Sequence, residues 1–229
     1  MKVKGGTIMK VASAKEIIKK LYHMNQSSVE CISFLKNAFV FNSLEFLDRC
    51  EAKAKEMRLI EKALTGGVTE DPKVDPAARV YMSLTGHVEG MVNFIEDIGG
   101  CIRTKIMDSI PFSDKAVLET TFLLARLQDM LRNTSDIILS GNVIHVKDSH
   151  LHWTSDHVPL SRNVILREYV KESASEINRS ANEFTALNEE RLIKGLCLPG
   201  ASALFLHMLD AIKGIALHAK ETAEELTAV

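Results

Sequence analysis

Aromatic residues make up only 6% of this chain of 229 residues, with one tryptophan, while methionine occurs nine times. Strands favour aromatic and β-branched side chains, whereas flexible thioethers suit packed helices, so the composition argues against a sheet protein. Neither sign of charge is in surplus: 28 basic residues face 30 acidic ones, for a net charge of -2. That balance excludes a basic footprint for nucleic acid. The four cysteines, Cys31, Cys50, Cys101 and Cys197, include no Cys-x-x-Cys pair. Each falls on or beside an apolar stripe, which points to free thiols in a reducing compartment rather than to disulfides or structural zinc.

Other signatures are missing as well. Gly66-Gly67 and Gly99-Gly100 lack both the GxxxxGK[ST] and the GxGxxG frames that cradle phosphates. There is no Gly-x-Ser-x-Gly elbow. No Glu-x-x-His occurs, which argues against a di-iron bundle. Nothing sets a nucleophile beside a base, so the sequence names no catalytic residue and the expectation is a protein that is not an enzyme. Lys2, Lys4 and Lys10 enclose no apolar stretch long enough for a signal peptide. The most apolar window, 201–219, is interrupted by His207, Asp210, Lys213 and His218, which argues against a spanning helix. The expected location is cytoplasmic, at most peripheral at the inner face of the membrane.

What is present is helical periodicity. The five prolines, at positions 72, 76, 111, 159 and 199, leave long proline-free intervals, as long helices require. Residues 1–12 read as a loose basic leader. Ser13 and Glu16 form a capping box for a first helix with Ile17, Leu21, Met24, Ser28, Cys31, Leu35 and Ala38 at 4-3 spacing. Asn42-x-x-Glu45 reads as the cap of a second helix carrying Leu47, Cys50, Ala54, Met57 and Leu64, which ends at Gly66-Gly67. Asp75-Pro76 opens a third, with Leu84, Val88, Met91, Ile95, Ile98, Ile102 and Ile106. Ser113 and Asp114 open a fourth, and a polar loop covers 141–160, with weak strand-like alternation around Val143–Trp153. A fifth helix runs over 161–194, and a Pro199-Gly200 turn leads into a sixth with Phe205, Met208, Ile212, Ile215, Ala219 and Leu226. With 46% hydrophobic residues there is ample material for a core. The expected architecture is all-α: two tandem three-helix units, 13–110 and 111–229, from an internal duplication.

The closing stretch is the most specific. Arg191-Leu192 and Gly195-x-Cys197 precede a helix with Met208-Leu209-Asp210, Ile212, Ile215, His218-Ala219 and Ala223-Glu224, and Phe112-Ser113-x-x-Ala116 opens the second half. These segments resemble the PhoU-like domain, in particular the version attached to sodium–phosphate cotransporters. The resemblance implies tandem three-helix bundles and a regulatory role in phosphate transport. It also implies a glutamate and an aspartate four apart in the last helix, which bind metal clusters in some members. Aligned through His218-Ala219, those positions hold Lys213 and Leu217, which cannot act as carboxylate ligands. The matching pair in the third helix is Glu89 and Asn93, with one carboxylate kept.

Two acidic rows stand out. Thr85, Glu89, Asn93 and Glu96 share one flank of the third helix, and Glu168, Glu172 and Glu176 repeat at i, i+4 and i+8 in the fifth. Like charges at this spacing repel by a few tenths of a kcal/mol, which a basic partner or a bound cation would offset. A solvated helix face and a remnant site for a divalent or ferric cation, with Glu89, Asn93, Glu168 and Glu172 as oxygen ligands, are the two readings. Four of the eight histidines, His145, His150, His152 and His157, lie with Asp148 and Asp156 in the polar loop. Their spacing matches no structural zinc motif, and Trp153 there suits a partner contact. His207 with Asp210, and His218 with Glu221, are one turn apart and read as local helix contacts.

The functional expectation is a regulatory adaptor of phosphate homeostasis that binds a membrane phosphate transporter or an associated sensor kinase and forms a homodimer. The alternative is a metal-binding protein or metal-dependent enzyme that uses the 145–157 loop or the acidic rows.

Overall fold

The apolar stripes read from the sequence are the buried faces of six helices. The structure, a computed structural model, describes residues 14–65, 76–144 and 159–228. In chain order the helices are α1 (Ala14–Phe41), α2 (Leu44–Thr65), α3 (Pro76–Met107), α4 (Asp114–Ile144), α5 (Pro159–Ile193) and α6 (Pro199–Ala228). No strand occurs among the described residues. In α2 the buried set is Leu47, Cys50, Ala54, Met57 and Leu64, the stripe expected from the spacing. The seven stripe residues of α1 are all buried too.

The chain forms two tandem three-helix bundles, α1–α3 and α4–α6. They are joined where α1 packs on α4 and α3 packs on α6. These four helices close a ring (α1 to α3 to α6 to α4 and back), while α2 lies only on α1 and α3, and α5 only on α4 and α6. The buried apolar side chains of both bundles belong to one continuous core. Polar pins fix its register. Fully buried Asn25 donates from Nδ2 to Leu131 O at 2.9 Å and Ser135 Oγ at 2.6 Å, and Gln128 Nε2 donates to Val29 O at 3.2 Å. Each pin ties α1 to α4, and sliding either helix would strand a buried polar group.

Helix ends refine the sequence reading. Asn42 does not cap α2: it sits in the left-handed region at φ 51° and ends α1, with Ser43 N donating back to Ala38 O at 3.2 Å. Its short polar side chain tolerates that conformation, and its Oδ1 accepts a bond from Lys105 Nζ. Ser109 at φ 51° and Gly195 at φ 67° end α3 and α5 by the same device. Helix α4 runs to Ile144, through the Gly141 at which the loop was expected, and α5 begins at Pro159 rather than 161. The first-position proline supplies a φ already suited to a helix and lacks only an N–H that would have no partner.

Helix α6 is long and apolar enough to cross a membrane by length and composition, the one such helix among the described residues. Its apolarity belongs to the core: Phe205, Met208, Leu209, Ile212, Ile215 and Ala219 are all buried against the neighbouring helices.

Candidate functional site at the crossing of α3 and α6

Where α3 crosses α6, each helix offers a glycine notch to a ring from the other. A Cβ on Gly90 would lie 2.3 Å from His218 Nε2, and one on Gly214 would lie 2.4 Å from Phe94 Cε2. The pattern is Gly-x-x-x-ring in both helices, Gly90 with Phe94 and Gly214 with His218, so the same knob and notch recurs in each half of the chain. The two rings lie 5.9 Å apart, centroid to centroid.

One of the two rings is an imidazole, and it has company. His87, one turn before Gly90, places its Nδ1 3.4 Å from His218 Nδ1. Glu221 Oε2 lies 3.1 Å from His87 Nδ1 and 3.2 Å from His218 Nδ1. The far nitrogen of His87, Nε2, lies 2.9 Å from Glu225 Oε1. Three potential ligand atoms therefore converge from two helices, each side chain half-buried and open to solvent on one side. The sequence singled out His218 and Glu221 as a local pair, and that contact is present. His87 went unnoticed, because only the α3–α6 crossing brings it to the pair. The repeated glycine-to-ring spacing was the available signal.

The acidic rows lie elsewhere. On α3, Arg58 of α2 reaches Asn93 Oδ1 at 2.6 Å and Glu96 Oε2 at 2.5 Å, with Glu89 Oε1 3.9 Å away. The guanidinium thus takes the place facing these oxygens, and Glu96 in turn raises the pKa of Arg58. Thr85 is buried. On α5, Glu168 pairs with Arg167 at 3.0 Å, Glu172 is exposed, and Glu176 pairs with Arg126 of α4. Helices α3 and α5 do not pack together, so Glu89 and Asn93 do not meet Glu168 and Glu172. In α6, Lys213 pairs with Asp210 at 2.8 Å. The positions that match the metal-cluster motif of the resembling family therefore hold a lysine and a leucine in one repeat, and a pair faced by an arginine in the other. Neither fits a metal cluster. The 145–157 loop, with its histidines, aspartates and Trp153, lies outside the described residues.

A second feature is the end of the molecule that carries the three short turns. Phe41, Met107, Leu118, Ile193, Leu196 and Leu198 are all exposed there, Ile193 by 86%. Beneath them Arg191 makes a double hydrogen bond to Glu119, both at 2.7 Å, and its guanidinium lies over the Phe205 ring. Lys105 is buried beside Phe39 and Phe112, and desolvation lowers its pKa.

No family model matches the sequence, and no curated protein matches it. Solved structures do, and they define the class: a six-helix double bundle with the PhoU fold. The structure of PhoU from Pseudomonas aeruginosa superimposes with a TM-score of 0.73 at 10% identity, over 93% of this chain and 94% of that one. A putative PhoU-like phosphate regulatory protein from Shewanella oneidensis gives 0.70 at 10% identity, over 93% and 97%. A second PhoU-like protein from the same organism gives 0.65 at 13% identity, over 92% and 97%. The resemblance read from the closing helix is thus found again in the fold, at identities that establish the fold alone.

Proposed function

We propose that this chain is a non-enzymatic regulator of phosphate homeostasis that works by binding a membrane phosphate transporter, or its associated sensor kinase, from the cytoplasmic side. The observation that carries this reading is the shared fold, which extends over 93% of the chain and 94% of the Pseudomonas aeruginosa PhoU. A fold alone is weak ground for a function, so a second observation matters. The bundle end bearing Phe41, Met107, Leu118, Ile193, Leu196 and Leu198 exposes large apolar side chains together, which is how contact surfaces differ from ordinary solvent-facing ones. We assign that end to the cytoplasmic face of the transporter. A stiff bundle that favours one transporter state over another shifts their populations by its differential affinity, without chemistry.

The test is co-purification of the untagged chain with a phosphate transporter in mild detergent, alongside phosphate accumulation in a deletion strain. Association and altered accumulation are expected. Normal accumulation, with no transporter or kinase retained, overturns the reading. Substituting Ile193 and Leu196 by Asp is expected to abolish retention while leaving the fold intact.

A further inference from the structure

We propose that His87, His218 and Glu221 form a zinc site that bridges the two halves of the molecule. This site lies apart from the acidic rows and goes beyond the regulatory role proposed above.

The first argument is geometric. Zinc bound to imidazole nitrogen and carboxylate oxygen at about 2.0–2.1 Å in a tetrahedron requires ligand atoms separated by about 3.3–3.4 Å. The three separations here are 3.4 Å between the two Nδ1 atoms, and 3.1 and 3.2 Å from these to Glu221 Oε2. The atoms already form one face of such a tetrahedron, and the solvent side leaves the fourth position for water.

The second argument counts hydrogens. His87 meets a carboxylate at each nitrogen, Glu221 at Nδ1 and Glu225 at Nε2. A neutral imidazole has one N–H and can donate to only one of them, so the two contacts call for an imidazolium, which donates at both nitrogens, or for a cation at one. With a metal at Nδ1, Nε2–H donates to Glu225 and Nδ1 gives its lone pair to the ion. A carboxylate on the far nitrogen of a ligating histidine is the usual support that fixes the tautomer and raises basicity.

The third argument is positional. His218 can approach α3 this closely only because Gly90 has no Cβ, so its ring is held against a backbone rather than on a mobile stem. Two imidazoles and one carboxylate favour zinc over calcium or magnesium, which prefer all-oxygen shells.

The experiment is a zinc titration of the full, untagged chain against a chromophoric chelator, with cobalt substitution as the spectroscopic probe. Wild-type protein is expected to bind one zinc, and its cobalt form to show the strong visible bands of a tetrahedral centre. His87→Asn and Glu221→Gln are each expected to abolish the bands. Glu225→Gln, which removes only the supporting carboxylate, is expected to weaken zinc binding about tenfold to a hundredfold while keeping them. His150→Ala with His152→Ala in the loop is expected to leave both readouts unchanged. Circular dichroism checks that each variant is folded, and Glu221, on a solvent-facing edge, is the variant least bound up with the core. Absence of stoichiometric zinc in the wild type, or zinc that survives both ligand substitutions or disappears with the loop histidines, overturns the assignment. None of these outcomes depends on a transporter.

Discussion

His218 of α6 rests its Nε2 so close to Gly90 of α3 that a methyl group there would lie 2.3 Å from it. The converse holds for Phe94 over Gly214, so two of the chain's helical glycines are kept by contact rather than by backbone conformation. Elsewhere a helical glycine costs about 0.5–1 kcal/mol relative to alanine. Gly100→Ala, where nothing lies within 4 Å of the added carbon, is expected to raise stability by about that amount. Gly214→Ala must displace the Phe94 ring and is expected to lose about 1–3 kcal/mol through overpacking, part of it restored by Phe94→Leu. Thermal and urea unfolding of the three variants measures the contrast.

Arg191 and Glu119 are 9% and 11% exposed at their side chains and meet through two parallel hydrogen bonds of 2.7 Å. Those bonds raise the pKa of Arg191; without them a guanidinium is still basic enough to keep its charge. Glu119→Ala is expected to cost about 3–5 kcal/mol, whereas the double variant Arg191→Met with Glu119→Leu, which replaces the whole pair by apolar groups, is expected to be near neutral. Urea unfolding of the single and double variants tests the difference.

Lys105 is buried, and loss of solvent lowers its pKa from the ordinary 10.5. The unfolded chain therefore holds this proton more tightly than the folded one. The penalty is complete at pH values below the folded pKa and shrinks as pH rises from there towards 10.5. Relative to Lys105→Met, the wild type is expected to gain stability over that alkaline window and to show no trend below it. Denaturation midpoints of both proteins across neutral and alkaline pH test the sign.

The thiols are expected to divide. Cys31 and Cys50 are buried and share reciprocal contacts, each sulfur facing the other's carbonyl at 3.7 and 3.9 Å. The Cys50 contact and burial push Cys31 far up, and burial pushes Cys101 up to about 11. Cys197 alone is partly exposed. Because the thiolate is the reactive form, a thiol reagent is expected to label Cys197 rapidly and the other three only on unfolding. Labelling of Cys31 at a comparable rate in the native state would contradict the packing of α1 on α2.

The helices were legible because their information is local. Proline spacing, the Ser113 cap and the stripe of α2 lie within single segments: Ala116 N donates to Ser113 Oγ at 3.3 Å, and Leu47, Cys50, Ala54, Met57 and Leu64 are buried as read, whereas the Ser13 and Asp75 caps lie outside the described residues. The Asn42 cap was misassigned because asparagine serves both the start of a helix and a left-handed end, and the short link of Asn42 and Ser43 between α1 and α2 accommodates either. Arg58 was missed as the counter-charge of Glu96 because a helix sequence does not say which neighbour it faces. His87 was missed for the same reason on a larger scale, since its partners lie in the other half of the chain. Contacts that depend on which helix crosses which, and at what height, are a property of the assembled ring.

A body built from two like halves ordinarily presents matching left and right sides, and a visitor could dock on it either way round. Phenylalanine in one notch and histidine in the other break that equivalence at the pivot itself. The molecule thereby acquires a front and a back: one notch offers a nitrogen-bearing ring that can bind a proton or a metal, the other only a hydrocarbon ring.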